Sequence, residues 1–182
     1  MELIDNIYIA PELVLVGSCG AYCGLCPKYY SNDDDHCPGC REKEEHSQCR
    51  IYRCCDNLKE YFTCGECGEF PCPMYTHKKL GSKSWNDALL VNIKTIREIG
   101  LENWLKQQYQ RKLILRTILK KYSNGHSIKF YCAVCQLMPL DLLYTSLKEI
   151  EENLNGNGQN NRISQIAKAI LKEAAKKAHL NL

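Results

Sequence analysis

The sequence predicts an irregular α+β protein. In it, a cysteine-rich N-terminal region with a small, metal-stabilised core packs on a C-terminal α-helical bundle. Two observations predict this class. Of the 13 cysteines in 182 residues, 11 lie between Cys19 and Cys72. Beyond Lys83, apolar residues recur at the three- and four-residue spacing of amphipathic helices. We therefore divide the chain into a cysteine-rich metal-binding region, 1–80, and a helical region, 81–182.

The N-terminal region begins with an apolar, β-branched segment, residues 3–16, that predicts an extended stretch or short strand. The following segment, 19–74, is poor in aliphatic side chains: its Leu, Ile, Val and Met residues are Leu25, Ile51, Leu58 and Met74. So little apolar surface cannot offset the entropy lost when the chain folds. A structural zinc ion contributes about 10–16 kcal/mol of apparent folding free energy in small peptides, which is enough to replace a core.

The helical region starts with a helix that Ser84 or Asn86 caps and that Gly100 ends. A second helix runs from Leu101 to Tyr122. The next segment, SIKFYCAV at 127–134, is rich in aromatic and β-branched residues and predicts a short strand. These elements supply the strand content of the predicted α+β class.

Two further helices complete the predicted bundle. Pro139 suits the first turn of a helix whose apolar face extends to Leu154. Residues 155–161, NGNGQNN, predict a loop. The last helix carries Ile163, Ile166 and Ile170 inward, and its basic side chains form a solvated face.

The residues that indicate a chemical function are Cys-x-x-Cys pairs, in which two residues separate the cysteines. Such a pair chelates one ion with two thiolates, and tetrahedral zinc takes four nitrogen or sulfur ligands. His46 precedes Cys49 by the same spacing and is a further candidate. We predict two or three zinc sites, the third requiring Cys55. Their ligands are drawn from Cys19, Cys23, Cys26, Cys37, Cys40, His46, Cys49, Cys54, Cys64, Cys67 and Cys72.

A [4Fe–4S] cluster is the alternative cofactor. Cys19, Cys23 and Cys26 match the three-cysteine pattern with which radical S-adenosylmethionine enzymes bind such a cluster. Prolines follow three of the cysteines, as one follows a ligand in bacterial ferredoxins. The strand–helix alternation of a radical enzyme is missing after the motif, so we reject that enzyme. An iron–sulfur protein with a redox or catalytic role stays open.

The Cys-x-x-Cys unit of the helical region, Cys132 and Cys135, lies in an apolar segment without a βαβ pattern. Buried free thiols are the preferred interpretation. A ligand pair and a redox pair are the alternatives.

Charge and composition narrow the functional classes. The chain shows no secretory signal and no membrane-spanning stretch, so we expect a cytoplasmic protein, a compartment in which clustered cysteines bind metal.

The two halves of the chain differ in charge: residues 1–80 carry 8 basic and 13 acidic residues, and 81–182 carry 16 basic and 8 acidic residues. The basic half allows weak nucleic-acid binding, but a solvated helix face explains it better. Known catalytic motifs are missing, which favours a structural or interaction module with a protein partner over an enzyme.

The cysteine motifs resemble a known family. They are similar to the signature of a cysteine-rich prokaryotic family, domain of unknown function family 3795, and the similarity extends to 96–108 and, more loosely, to 122–143. The motifs are CGAYCGLCPKYY (19–30), CPGC (37–40), CRIYRCC (49–55) and CGECGEFPC (64–72). The resemblance implies metal binding, most often zinc, with no established activity.

Two positions depart from the family pattern. The family usually has a cysteine where His46 stands, which supports His46 as a ligand. It commonly has a small residue where Cys135 stands, which weakens a metal-binding role for Cys132 and Cys135.

Overall fold

The structure, a computed structural model, describes residues 11–31, 36–42, 49–76, 83–154 and 160–180. It is 69% helical, and its described ranges contain no strand or sheet. The β-type pairing in them is an isolated bridge between Val16 and Tyr22. The protein is therefore all-α, and the predicted α+β class is wrong.

The error comes from two segments that the sequence analysis predicts as strands. Of the segment 3–16, residues 3–10 lie outside the described ranges and 11–13 form a helical turn. The segment 127–134 belongs to the helix Ile128–Leu137. Its buried Tyr131, Val134 and Cys135 recur at helical spacing, so burial of one helix face outweighs the β propensity of the individual residues.

The cysteine-rich segment consists of short helical pieces. Two 3₁₀ turns span Cys23–Leu25 and Pro27–Tyr30. Helix α1, Arg50–Tyr52, continues directly into a π-helical turn, Arg53–Leu58. Helix α2 spans Pro73–Thr76 and packs against α1.

Five longer helices follow, of which four match predicted helices and one, Ile128–Leu137, replaces the predicted strand. The first of them, Lys83–Ile99, starts before the predicted caps Ser84 and Asn86 and ends where Gly100 takes a φ of +83°, as the sequence predicts. The loop predicted at 155–161 falls largely outside the described ranges, but 160–161 are helical. The five are α3 (Lys83–Ile99), α4 (Leu101–Lys121), α5 (Ile128–Leu137), α6 (Leu140–Leu154) and α7 (Asn160–Lys177).

The chain forms two compact units. The first unit comprises Met1–Gly24 and Ser31–Tyr109, and the second comprises Leu25–Tyr30 and Gln110–Leu182. The division at residue 80 is one of composition and stays a prediction.

In the first unit, helix α3 provides the apolar face on which two glycine turns lie. A Cβ atom on Gly20 would stand 2.8 Å from the Cδ1 of Ile93, and Gly20 has a φ of +82°. A Cβ atom on Gly65 would stand 2.5 Å from the Cγ2 of Ile96. Only glycine allows such close approach of these two backbone segments to the helix.

The second unit has its own core. Leu115, Ile118, Tyr131, Leu143 and Ile150 are fully buried in it. Helices α6 and α7 pack along each other, and the 3₁₀ turn Pro27–Tyr30 packs against α5.

Arg111 stabilises the end of α5. Its Nη1 donates to the carbonyl oxygens of Cys135, at 2.9 Å, and Met138, at 2.6 Å. These are carbonyls that a helix end leaves without intrahelical partners.

No helix in the described ranges is both long and apolar enough to cross a bilayer.

Substitution of the two glycines tests the packing on α3. We expect Gly20→Ala to reduce the free energy of unfolding by about 2 kcal/mol or more, because a left-handed backbone and a steric clash both oppose the new methyl group. Gly65→Ala should cost about 1–3 kcal/mol through the clash with Ile96. Denaturant unfolding followed by tryptophan fluorescence measures both.

Gly68→Ala is the matched control, since a Cβ there meets no atom within 4 Å. It should change the free energy of unfolding by less than about 0.5 kcal/mol. Equal effects at all three glycines would contradict the packing argument.

Candidate metal centre

All 13 cysteines lie in the described ranges, and each is a free thiol. Of the eleven predicted ligands, ten are therefore placed by the structure. The eleventh, His46, lies outside the described residues.

Five cysteines line one cavity of about 30 Å³ in the first unit. About one water-sized sphere needs 10–15 Å³, so the cavity has room for a single ion and little more. The sulfur-bearing residues come from the π-helical turn, from the turn after it and from the segment before α2. The lining residues are Cys54, Cys55, Lys59, Tyr61, Cys64, Cys67, Glu69, Phe70 and Cys72.

The turn that carries Cys64 and Cys67 is closed by local hydrogen bonds. Thr63 Oγ1 accepts from the Gly65 N–H at 3.2 Å, and Glu66 Oε2 accepts from the Thr63 N–H at 2.7 Å. The N–H of Cys67 donates to the Cys64 carbonyl at 3.3 Å. The two cysteines are thus held at the ends of a tight turn before any ligand binds.

Helix α3 packs against this turn and donates hydrogen bonds to it. Arg97 Nη1 donates to the Cys67 carbonyl at 2.7 Å and to the Gly65 carbonyl at 3.4 Å. With Ile96 under Gly65, one helix face fixes both the position and the tilt of the turn.

The π-helical turn brings Cys54 and Cys55 to the same cavity. The Lys59 N–H donates to the Cys54 carbonyl at 3.1 Å, five residues back, and the Tyr61 N–H donates to the Cys55 carbonyl at 2.8 Å. Between them, Glu60 has a φ of +57°. Wide turns of this kind occur frequently at functional sites.

Of the five thiols, Cys55 is the deepest, with 3% exposure. Its Sγ donates to the Tyr61 carbonyl oxygen at 3.2 Å. A hydrogen bond with the Cys64 thiol lowers the pKa of Cys55 against the opposing effect of burial, and the same bond raises the pKa of Cys64.

Lys59 stands at the rim of the cavity. Its pKa is raised first by its hydrogen bond with Glu69 and further by the thiols of Cys67 and Cys54. A cation in this place offsets part of the negative charge that several thiolates would concentrate.

A second group of cysteines lies in the same unit. The Cys40 N–H donates to the Cys23 Sγ at 3.3 Å, and a hydrogen bond between the two thiols raises the pKa of Cys40. Burial, with the neighbouring Cys40 and Cys49, raises the pKa of Cys19 to about 12. These electrostatic couplings bring Cys19, Cys23, Cys40 and Cys49 into one neighbourhood, and a further coupling links Cys19 to Cys64.

Three side chains anchor this second group. Arg41 Nε donates to the Val16 carbonyl at 2.8 Å and Tyr75 Oη to the Cys19 carbonyl at 2.8 Å. The buried Asn92 of α3 donates its Nδ2 to the Gly20 carbonyl at 2.8 Å. The first cysteine turn is therefore fixed to the same helix face as the Cys64 turn.

Cys26 belongs to a compact unit that also contains Cys132 and Cys135. Cys19 and Cys23 belong to the first unit, whereas Cys26 belongs to the second. There, burial and the Cys26 thiolate raise the pKa of Cys132 to about 12. Cys135 is also buried, and its pKa is raised by that burial. Cys37 lies partly exposed, two residues before Gly39–Cys40.

Across the described ranges, no group of three or more His, Cys, Asp or Glu side chains is close enough to hold a metal ion as the side chains stand. A closed site requires the thiols to come closer together than they stand. The donor chemistry and the cavity volume nevertheless fit zinc, which takes four thiolates at about 2.3 Å.

Sequence reasoning named Cys55 as an optional ligand but missed Asn92 and the glycines at 20 and 65, which support these groups. The signals were present as a Cys–Gly dipeptide in each turn, Cys19–Gly20 and Cys64–Gly65. Pairing by Cys-x-x-Cys spacing alone does not use them.

Comparison with protein-family models finds a match for one segment of the chain. Residues 15–77 match the model of a family described as "Protein of unknown function (DUF3795)". The resemblance predicted from the cysteine motifs is confirmed for this segment, and its extension to 96–108 and 122–143 stays a prediction. Comparisons with curated proteins and with solved structures find no match.

Removal of the Asn92 amide tests the attachment of the first cysteine turn. We expect Asn92→Ala to lower the free energy of unfolding by about 1–3 kcal/mol, because the buried Gly20 carbonyl loses its hydrogen bond. Lys94→Ala, at an exposed position of the same helix, is the control and should change it by less than about 0.5 kcal/mol. Indistinguishable unfolding curves for the two variants would contradict this attachment.

Proposed function

We propose that the cysteine-rich segment is a zinc-binding structural module and that the protein acts through interaction with a protein partner rather than as an enzyme. The observation that carries the proposal is the small cavity lined by five cysteines. Cys64, Cys67 and Cys72, with a cysteine of the π-helical turn, would hold one ion. Cys19, Cys23, Cys40 and Cys49 would hold a second.

Two observations support zinc over an iron–sulfur cluster. The cavity of about 30 Å³ suits one ion better than a cluster of eight atoms. The three cysteines that match the cluster pattern are divided between the two compact units, with Cys19 and Cys23 in the first and Cys26 in the second.

Zinc would act as a cross-link in this module. The bound ion neutralises thiolates and cross-links turns that are distant in sequence. The few apolar side chains of the segment cannot hold these turns together by burial. The chain supplies the framework: α3 orients both cysteine turns, and Lys59 places positive charge at the rim. The segment has exposed apolar side chains that suit contact with another protein, namely Leu58, Tyr61 and Met74.

Metal analysis tests the proposal directly. Protein purified aerobically should contain about two zinc ions per chain by elemental analysis. Chelation should remove the near-UV circular dichroism of the first unit while the helical far-UV signal of the second unit largely persists. Iron and acid-labile sulfide at cluster stoichiometry, or near-UV spectra unchanged by exhaustive chelation, would overturn it.

A cysteine substitution in the Cys64 turn tests the site. Cys64→Ser should reduce zinc content by one ion per chain and lower the midpoint of thermal unfolding, because a tetrathiolate site loses a ligand.

Cys135→Ala is the control, since that thiol lies in the second unit. It should leave the zinc content unchanged. Loss of zinc in the control, or full retention in Cys64→Ser, would contradict the placement of the site.

A further inference from the structure

The cavity in the first unit has one cysteine more than a tetrahedral site needs. Cys64, Cys67 and Cys72 each enter it from a separate position along the chain, whereas Cys54 and Cys55 are neighbours in the π-helical turn. Spacing in the sequence favours Cys54, because it is separated from Cys49 by four residues and leaves Cys55 unassigned. The surroundings of the two thiols lead to the opposite choice.

Depth distinguishes the two cysteines. Cys55 is 3% exposed, whereas Cys54 is partly exposed. Both cysteines line the cavity; the Cys55 thiol interacts with that of Cys64, and Lys59 at the rim interacts with Cys67 and with Cys54. The sulfur on the inner wall is therefore that of Cys55.

Ser18 provides an independent sign that Cys55 is a ligand. Ser18 is 4% exposed, and its Oγ makes no hydrogen bond of ordinary geometry within the described ranges. This hydroxyl lies beside Cys55. A buried hydroxyl without an acceptor is costly. A metal-bound Cys55 thiolate, having given up the proton that the thiol donates to the Tyr61 carbonyl, is an acceptor that would satisfy it.

The backbone fixes Ser18 in this place. Its carbonyl oxygen accepts the N–H of Cys64 at 2.8 Å. Ser18 is thus joined to one predicted ligand through its main chain while its side chain lies beside another. This is the arrangement of residues that support a metal site from behind its ligands.

We propose that Cys55, and not Cys54, completes a four-thiolate zinc site with Cys64, Cys67 and Cys72, and that the Ser18 hydroxyl donates a hydrogen bond to the Cys55 sulfur. Cys54 is then a free thiol at the rim. This inference rests on the proposed zinc module and names the fourth ligand of one of its sites.

Paired substitutions at the two neighbouring cysteines test the assignment. Cys55→Ser should lose one zinc ion per chain, and Cys54→Ser should keep the full content. Loss in Cys54→Ser with retention in Cys55→Ser overturns the assignment while leaving the zinc module intact. A wild-type protein without zinc overturns the module itself.

Alkylation of the wild-type protein gives an answer even where a variant fails to fold. Zinc-loaded protein is treated with iodoacetamide, and tandem mass spectrometry locates the modified cysteines. We expect modification of Cys54 and protection of Cys55, with both modified after chelation. Modification of Cys55 in the loaded protein, or protection of Cys54, overturns the proposal.

The role of the hydroxyl is tested by Ser18→Ala, which keeps the carbonyl that binds Cys64. Competition with a chromophoric chelator should show about 10-fold weaker zinc binding at this site. Ser123→Ala, in the second unit, is the control and should bind as the wild type does. Equal affinities for both variants would overturn the proposed hydrogen bond.

Discussion

The first unit depends on the contact of two glycine turns with one face of helix α3. Gly20 meets Ile93, and Gly65 meets Ile96, at distances that no other residue allows. Asn92 and Arg97, on the same face, donate hydrogen bonds to the carbonyls of these turns. Because each glycine follows a cysteine directly, the helix positions the thiols without touching them. The cysteine turns and the helix are one structural element.

This arrangement changes the role of the helical half of the sequence. The composition divides the chain at residue 80, yet α3 lies in the same compact unit as the cysteine turns. The cysteine-rich segment therefore has an apolar support that its own residues do not provide. In the proposed module, zinc and α3 act together. The ion cross-links the cysteines that line the cavity, and the helix supports the turns that bear them.

Local patterns in the sequence predicted the long helices well, because three- and four-residue periodicity and a terminal glycine act within one element. The strand predicted at 127–134 failed because the burial of Tyr131, Val134 and Cys135 outweighs propensity. The ten described ligand candidates were named from spacing alone, but their grouping was not predictable. Grouping depends on contacts between distant residues, such as Cys64 with Ser18 and Cys26 with Cys132.

The π-helical turn has a consequence for the evolution of this segment. An α-helix hydrogen bond spans four residues, and the bond from Lys59 to Cys54 spans five, so the turn holds one residue more than a regular helix would. Loss of a single residue between Tyr52 and Leu58 would restore regular winding and rotate Cys54 and Cys55 around the axis. The length of this short stretch is therefore under tighter constraint than the identity of its exposed side chains.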